Sequence, residues 1–155
     1  MNSEGWYNSP IGILKIVADE DSIIGVEFAE SIFEENSNPI IERCKIELKE
    51  YFEGKRKNFE VNIKYIGGTE FQKQVWNELK NIPYGKVVSY KYIAEKIKNP
   101  KAVRAVGGAN NKNPITIIVP CHRVIGANGK LVGYAEGVDK KEFLLNLENT
   151  VEKRL

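Results

Sequence analysis

The chain has 155 residues, enough to bury a core as one domain or as two small ones. No apolar run is long enough to span a bilayer, and the first residues lack a signal peptide's basic and apolar regions, so no membrane role is expected and the thiols are expected reduced, in a cytoplasm. Two cysteines and one histidine cannot by themselves assemble a four-ligand Cys/His zinc site. The net charge of +2 hides an asymmetry: residues 1–70 hold 8 Lys/Arg against 14 Asp/Glu, and residues 71–155 hold 15 against 7. A basic second part is the electrostatic footprint of a polyanion partner, although a solvated lysine-rich surface has the same composition.

Gly5-Trp6-Tyr7 leads through Ser9-Pro10 into the run 11–18, and the polar turn Asp19-Glu20-Asp21-Ser22 separates it from 23–28. These segments predict a strand meander with short connections. Ile40, Ile41, Cys44, Ile46, Leu48, Tyr51 and Phe52 recur at roughly helical spacing, ending near Gly54. Cys44 falls on that apolar side and reads as structural. A short strand is expected from Phe59 to Ile66, and Gly67-Gly68 is the expected boundary between an N-terminal domain (1–67) and a C-terminal domain (68–155).

Thr69 and Gln72 have capping-box spacing ahead of a helix with Phe71, Val75, Trp76, Leu79 and Ile82 on its apolar side. Ser89 is a plausible N-cap for a helix from Tyr90 to Ile97. Asn99-Pro100 offers an N-cap and a first-turn proline for a helix from Lys101 to Asn110. Two short helices with a tight turn form a helix-turn-helix candidate. The second helix carries Ala, Val and Gly where a major-groove reader needs Asn, Gln or Arg, so close approach to a narrow groove suits it better. A final helix is expected from Lys140 to Glu148, with Lys141, Leu144, Leu145 and Glu148 on one face. Turn 127–130 and loop 131–137 precede it.

The stretch 115–126 carries the chemistry. The β-branched run Ile115 to Val119 predicts a short strand or buried extended segment. Pro120 lacks a backbone N–H, so regular pairing should stop there and present Cys121 on a rigid support. A thiol is a good nucleophile only when deprotonated, which a nearby imidazole and carboxylate can arrange. His122, the only histidine, follows at once, either in direct contact or through a water. A cysteine after an apolar run also serves as a small core residue. The neighbouring motifs decide between these readings.

Together, Phe71-Gln72-Lys73-Gln74-Val75-Trp76, Ser89-Tyr90, Asn99-Pro100, Arg104-Ala105-Val106-Gly107, Asn113-Pro114, Pro120-Cys121-His122-Arg123-Val124, Gly133-Tyr134 and Glu148 resemble the O6-alkylguanine-DNA alkyltransferases. The likeness spans about half the chain, and the first part matches only in length and element order. It implies an α/β (α+β) fold: a small antiparallel sheet with a helix, then a mostly helical DNA-binding and alkyl-acceptor domain with a helix-turn-helix and a buried Cys turn. It also implies a single-turnover repair protein, acting as a monomer without cofactor or metal on double-stranded DNA containing O6-alkylguanine.

In that likeness Cys121 accepts the alkyl group, His122 takes the thiol proton through a water, and Glu148 stabilises the imidazolium. Arg104 fills the place of the flipped base, which chemistry on a stacked base requires to be extruded. Ala102, Ala105 and Gly107 line the minor groove. Tyr90 crowds the target phosphate and donates to the guanine ring. Asn113 holds the Cys turn. The carbonyls of Cys121 and Val124 accept from the guanine amino group, Ala135 N–H bonds O6, and Tyr134 completes the substrate set. Glu136 stands where the family often has Gly, and Thr116 where some members have Pro, which bears on adduct size. A helix-turn-helix regulator with an alkylation-sensing thiol is the main alternative. A Cys-His hydrolase would need an oxyanion hole, for which no separate signal exists.

Overall fold

The computed structural model describes residues 2–126, 129 and 134–149. Of the expected turn and loop over 127–137, residues 127, 128 and 130–133 lie outside the described residues, Gly133 among them. The chain forms two compact units. One holds the chain up to Ile66 together with Pro114–Thr116, and the other holds Gly67–Asn113 and the chain from Ile117 onward. The strip Pro114–Thr116, read from sequence as part of the second domain, therefore packs with the first.

In the first unit, β1 (Ser3–Ser9), β2 (Gly12–Ala18) and β3 (Ile23–Ala29) make an antiparallel meander in the order β1-β2-β3. Leu14, Ile16 and Ala18 alternate inward along β2 and are fully buried, as the period of two requires. Asp19 closes the β2–β3 turn by accepting from the N–H groups of Asp21 (2.9 Å) and Ser22 (2.8 Å). Helix α1 (Pro39–Phe52) starts at Asn38, whose side chain accepts from Ile41 N–H at 2.9 Å. Its buried Ile41, Cys44, Leu48 and Tyr51 follow helical spacing. Burial, with the neighbouring Glu47 charge adding to it, pushes the Cys44 thiol up to about 12. That thiol is a core residue and not a nucleophile.

The strand expected over 59–66 is absent. Only Ile63 makes a single parallel bridge, to Ile23. The reason is a side chain. The carboxylate of the fully buried Glu47 accepts from Glu60 N–H (2.9 Å), Val61 N–H (3.2 Å) and Arg43 Nε (2.8 Å). A carboxylate has taken donors that a strand would give to its neighbour.

In the second unit, α2 (Glu70–Leu79) has the full Thr69/Gln72 capping box. The two-residue strand β4 (Val88–Ser89) leads into α3 (Tyr90–Lys96), capped by Ser89. Helix α4 (Val103–Asn111) begins later than expected. Its cap is Ala102 with no side-chain bond, so Asn99 is not the N-cap; Asn99 N–H instead bonds Ala94 O and its own carbonyl accepts from Ala102 N–H. A 3-10 turn (Cys121–Arg123) precedes β5 (Val124–Ile125), which pairs in parallel with β4. Helix α5 (Val138–Leu147) closes the unit. No helix among the described residues is long and apolar enough to cross a membrane.

Glu47→Ala should cost about 2–4 kcal/mol, because two backbone donors and Arg43 lose one shared acceptor. Urea unfolding of parent and variant measures it. A loss below about 0.5 kcal/mol, the size of an ordinary surface substitution, would mean that water replaces the carboxylate freely.

Candidate active site

The run Ile115–Val119 does not extend as a strand. Ile115 bridges Val26 of the first unit, and Thr116 N–H bonds Val26 O at 3.0 Å. Ile117 then takes φ +72°, a left-handed conformation that is strained for a β-branched residue. The chain turns there, and Pro120 starts the 3-10 turn that carries Cys121, His122 and Arg123. All three are buried, Cys121 at 4 % exposure.

Side chains from the end of α4 fix this turn. Asn113 Nδ2 donates to Val119 O at 2.7 Å, and Asn110 Nδ2 to Cys121 O at 3.3 Å. Cys121 O also accepts from Val124 N–H, so both of its lone pairs are engaged. Val124 O accepts from the buried Lys141 ammonium of α5. The two carbonyls expected to read a guanine amino group thus already hold protein donors. Burial lowers the Lys141 pKa to about 8, against an opposing pull from Cys121.

Glu148, the C-cap of α5, is 2 % exposed and meets His122 and Arg123. Its Oε2 lies 2.8 Å from His122 Nε2 and accepts from Arg123 Nη2 at 3.0 Å, while Oε1 accepts from Arg123 Nε at 2.8 Å. Burial alone would raise the Glu148 pKa. His122 and Arg123 overcome it and hold the carboxyl well below the usual range. An ionised carboxylate only accepts, so Nε2 carries the imidazole hydrogen and Nδ1 the basic lone pair. Among the described residues Nδ1 has no hydrogen-bond partner. Burial lowers the His122 pKa despite Glu148, which favours the neutral ring. The arrangement is a base with one nitrogen locked and the other available, in the same turn as a thiol.

The β4–β5 pair sets Ser89 opposite Ile125, which puts Tyr90 at the head of α3 within electrostatic reach of Cys121. Burial, and then the Cys121 charge, raise the Tyr90 pKa. Tyr90, Lys101, Val103, Arg104 and Gly107 line an open groove of about 820 Å3. A methyl group on Gly107 would only touch the Tyr90 ring, at 3.9 Å, so the packing tolerates a side chain there and the groove is what glycine keeps open. Arg104 and Ala105 are exposed on α4, and Ala102 caps it, outside the groove lining. Tyr134 is buried, Ala135 exposed and Glu136 half-buried just before α5.

A family model described as the DNA binding domain of 6-O-methylguanine DNA methyltransferase matches residues 70–150, and one described as its ribonuclease-like domain matches residues 3–65. A methylated-DNA–protein-cysteine methyltransferase of Methanosarcina acetivorans is 51% identical over 152 residues, covering 93% of this chain and 96% of the relative. The chain belongs to the 6-O-methylguanine DNA methyltransferase family. The constitutive methylated-DNA–protein-cysteine methyltransferase of Bacillus subtilis is 43% identical, with 96% of both chains covered. Within the family, the crystal structure of the Mycobacterium tuberculosis O6-methylguanine methyltransferase superposes with a TM-score of 0.87 at 41% identity, covering 97% of this chain and 94% of that one. The same organism's OGT in complex with DNA gives a TM-score of 0.85 at 42% identity, covering 96% and 93%.

The mixed α/β fold of a small antiparallel sheet plus helices is the one expected. The structure joins His122 to Glu148, Asn113 to the Cys turn, and Tyr90 to Arg104 and Gly107 along one groove. Sequence reasoning missed the engagement of Arg123, Lys141 and Asn110. A signal existed for the first two: Arg123 precedes the apolar Val124-Ile125, and the helical face puts Lys141 with Leu144 and Leu145, which predicts a buried partner for each.

Glu148→Gln should destabilise the protein by about 3–5 kcal/mol, since it leaves the Arg123 charge buried without a carboxylate. The pH dependence follows from the depressed Glu148 pKa. Its stabilisation is fully present above the unfolded carboxylate value and is lost as pH falls toward the lower folded value. Denaturant melts from neutral to acid pH should therefore fall more steeply for parent than for variant. Parallel curves would show that Glu148 is not ionised in the fold.

Proposed function

We propose that this protein repairs double-stranded DNA by flipping O6-alkylguanine out of the helix and moving the alkyl group irreversibly to Cys121. The observation that carries the reading is the His122 ring, held on Glu148 through Nε2 with Nδ1 unpartnered among the described residues, in the turn that bears the thiol. The Cys121 proton passes to Nδ1 through a bridging water. The thiolate attacks the alkyl carbon, the S–C bond forms, and the C–O6 bond breaks with its electron pair going to O6. Tyr90 donates its hydroxyl proton to the guanine ring and regains one from the imidazolium side, so no proton is gained or lost overall. The thioether does not hydrolyse, so each molecule acts once.

In this reading the second unit is the DNA-binding and alkyl-acceptor domain, with α3 and α4 as its helix-turn-helix. Arg104 enters the stack from the groove that Tyr90 and Gly107 line, and Ala102 and Ala105 lie along the minor groove. Its excess of basic residues suits the phosphate backbone. Asn113 holds the Cys turn, while Tyr134 and Ala135 face the base. The Asn110 and Lys141 bonds to the two carbonyls give way to, or share with, the guanine amino group. The protein acts as a monomer, in the cytoplasm, where Cys121 stays reduced.

Incubation with an oligonucleotide containing O6-methylguanine should add one CH2 to the intact protein mass, located on the Cys121 peptide. Cys121→Ser should show no added mass and near-parental duplex binding, because a hydroxyl is far harder to deprotonate and phosphate contacts come from elsewhere. Mass gain in the serine variant would move the acceptor to another residue.

Arg104→Ala should slow repair of duplex DNA at least about tenfold while barely changing reaction with the free base, because only the duplex carries the cost of flipping. Single-turnover rates on both substrates measure this. Equal loss on both would remove Arg104 from the flipping step.

A further inference from the structure

Arg123 has no part in the mechanism above, yet it is 7 % exposed and spends every guanidinium nitrogen on the site's support. Nε and Nη2 hold the two oxygens of Glu148, and Nη1 donates to Ile82 O at 2.8 Å. The guanidinium carbon lies 5.7 Å from the centroid of the Tyr84 ring. A two-pronged contact of this kind fixes a carboxylate's plane as well as its charge. Glu148 Oε2 is the atom that His122 Nε2 also uses. One carboxylate therefore serves a permanent cation and a titratable ring at once.

The charges facing His122 can be named. From α5 come the carboxylate of Glu148 and the ammonium of Lys141, and from the turn itself come Arg123 and the Cys121 thiol. The buried side chains of α2, which also packs on the turn, are the apolar Val75, Trp76 and Leu79. If Glu148 faced His122 alone in this dry setting, its whole charge would favour the imidazolium. Arg123 already matches that charge.

We propose that Arg123 is a positioning residue that sets the basicity of His122: by neutralising Glu148 it keeps the ring uncharged at rest and leaves Nδ1 ready for the thiol proton. The proposal deepens the reading of the site as a thiol alkyl acceptor. The S–H bond breaks, the N–H bond forms at Nδ1, and the imidazolium holds the proton until the Tyr90 side takes one back. Glu148 remains an anion paired with Arg123 and never takes the proton. Burial and the Arg123 charge both depress the His122 pKa, in agreement with this role.

His122 is the only histidine, so its ring can be followed directly by nitrogen NMR on the whole protein, without DNA. In the parent the ring should stay neutral at neutral pH, with hydrogen on Nε2. Arg123→Met should move its titration midpoint to higher pH, and the acid limb of the methyl-transfer rate should move with it. Arg123→Lys, which keeps the charge but not the fork, should shift both in the same direction by less. A midpoint unchanged from parent in either folded variant would overturn the proposal, as would a shift to lower pH. If the methionine variant does not fold, the lysine variant carries the test alone. Failure of the alkyl-acceptor reading is seen separately, as a parent protein that gains no mass from methylated DNA.

Discussion

The interaction on which the second unit depends is the buried carboxylate of Glu148. An ion of that size taken out of water costs several kcal/mol unless its charge and lone pairs are met inside the fold. Arg123 and His122 meet them, and both lie in one three-residue turn. The end of α5 must therefore sit on that turn. Two helical turns earlier, Lys141 binds Val124 O on the far side of the same segment. Leu145 lies between these anchors in sequence and joins Val87 and Ile125 in a small core. Polar contacts set the register of α5, and the apolar face between them supplies area.

A second set of bonds ties the turn to α4. Asn110 holds the carbonyl of Cys121 itself and Asn113 that of Val119, and Trp76 Nε1 donates to Ala109 O at 2.8 Å, which fixes α2 to the same helix end. The helix that bears Arg104 near its start thus finishes against the backbone that bears the thiol. A substituent on sulfur that displaced the turn would be felt first by these two asparagines. Asn110 gives the weaker hold, at 3.3 Å against 2.7 Å for Asn113.

Much of this was legible in the sequence where one local rule sufficed. The Thr69/Gln72 capping box, the strand meander and the α5 face are set within a few residues, and the structure keeps them. His122 and Glu148, and Asn113 and the Cys turn, are neighbours in the structure although far apart in sequence or held by loops, a relation that periodicity does not carry. The failures do not share one cause. The strand over 59–66 was lost to Glu47, a side chain thirteen residues earlier that captured its N–H groups. The short strand or buried extended segment expected over 115–119 is broken at Ile117, whose β-branched chemistry argues against the conformation it adopts. Asn99 lost its capping role when the preceding turn used its backbone. For 59–66 a side chain from another element overrode the local preference, and for Asn99 a turn of neighbouring residues used its backbone first.

The placement of Pro114–Thr116 has a topological consequence. The chain leaves the first unit after Ile66, builds α2 to α4, returns for three residues to pair with β3, and only then makes the Cys turn. The two units are therefore not beads on a string. A proteolytic nick near Gly67 would not free the second as a self-contained piece, because the stretch five residues before Cys121 finishes its hydrogen bonding on Val26. For the same reason the first unit cannot be swapped for an unrelated fold by joining genes at one point. Any replacement would have to offer a strand edge of matching direction to a segment it does not encode.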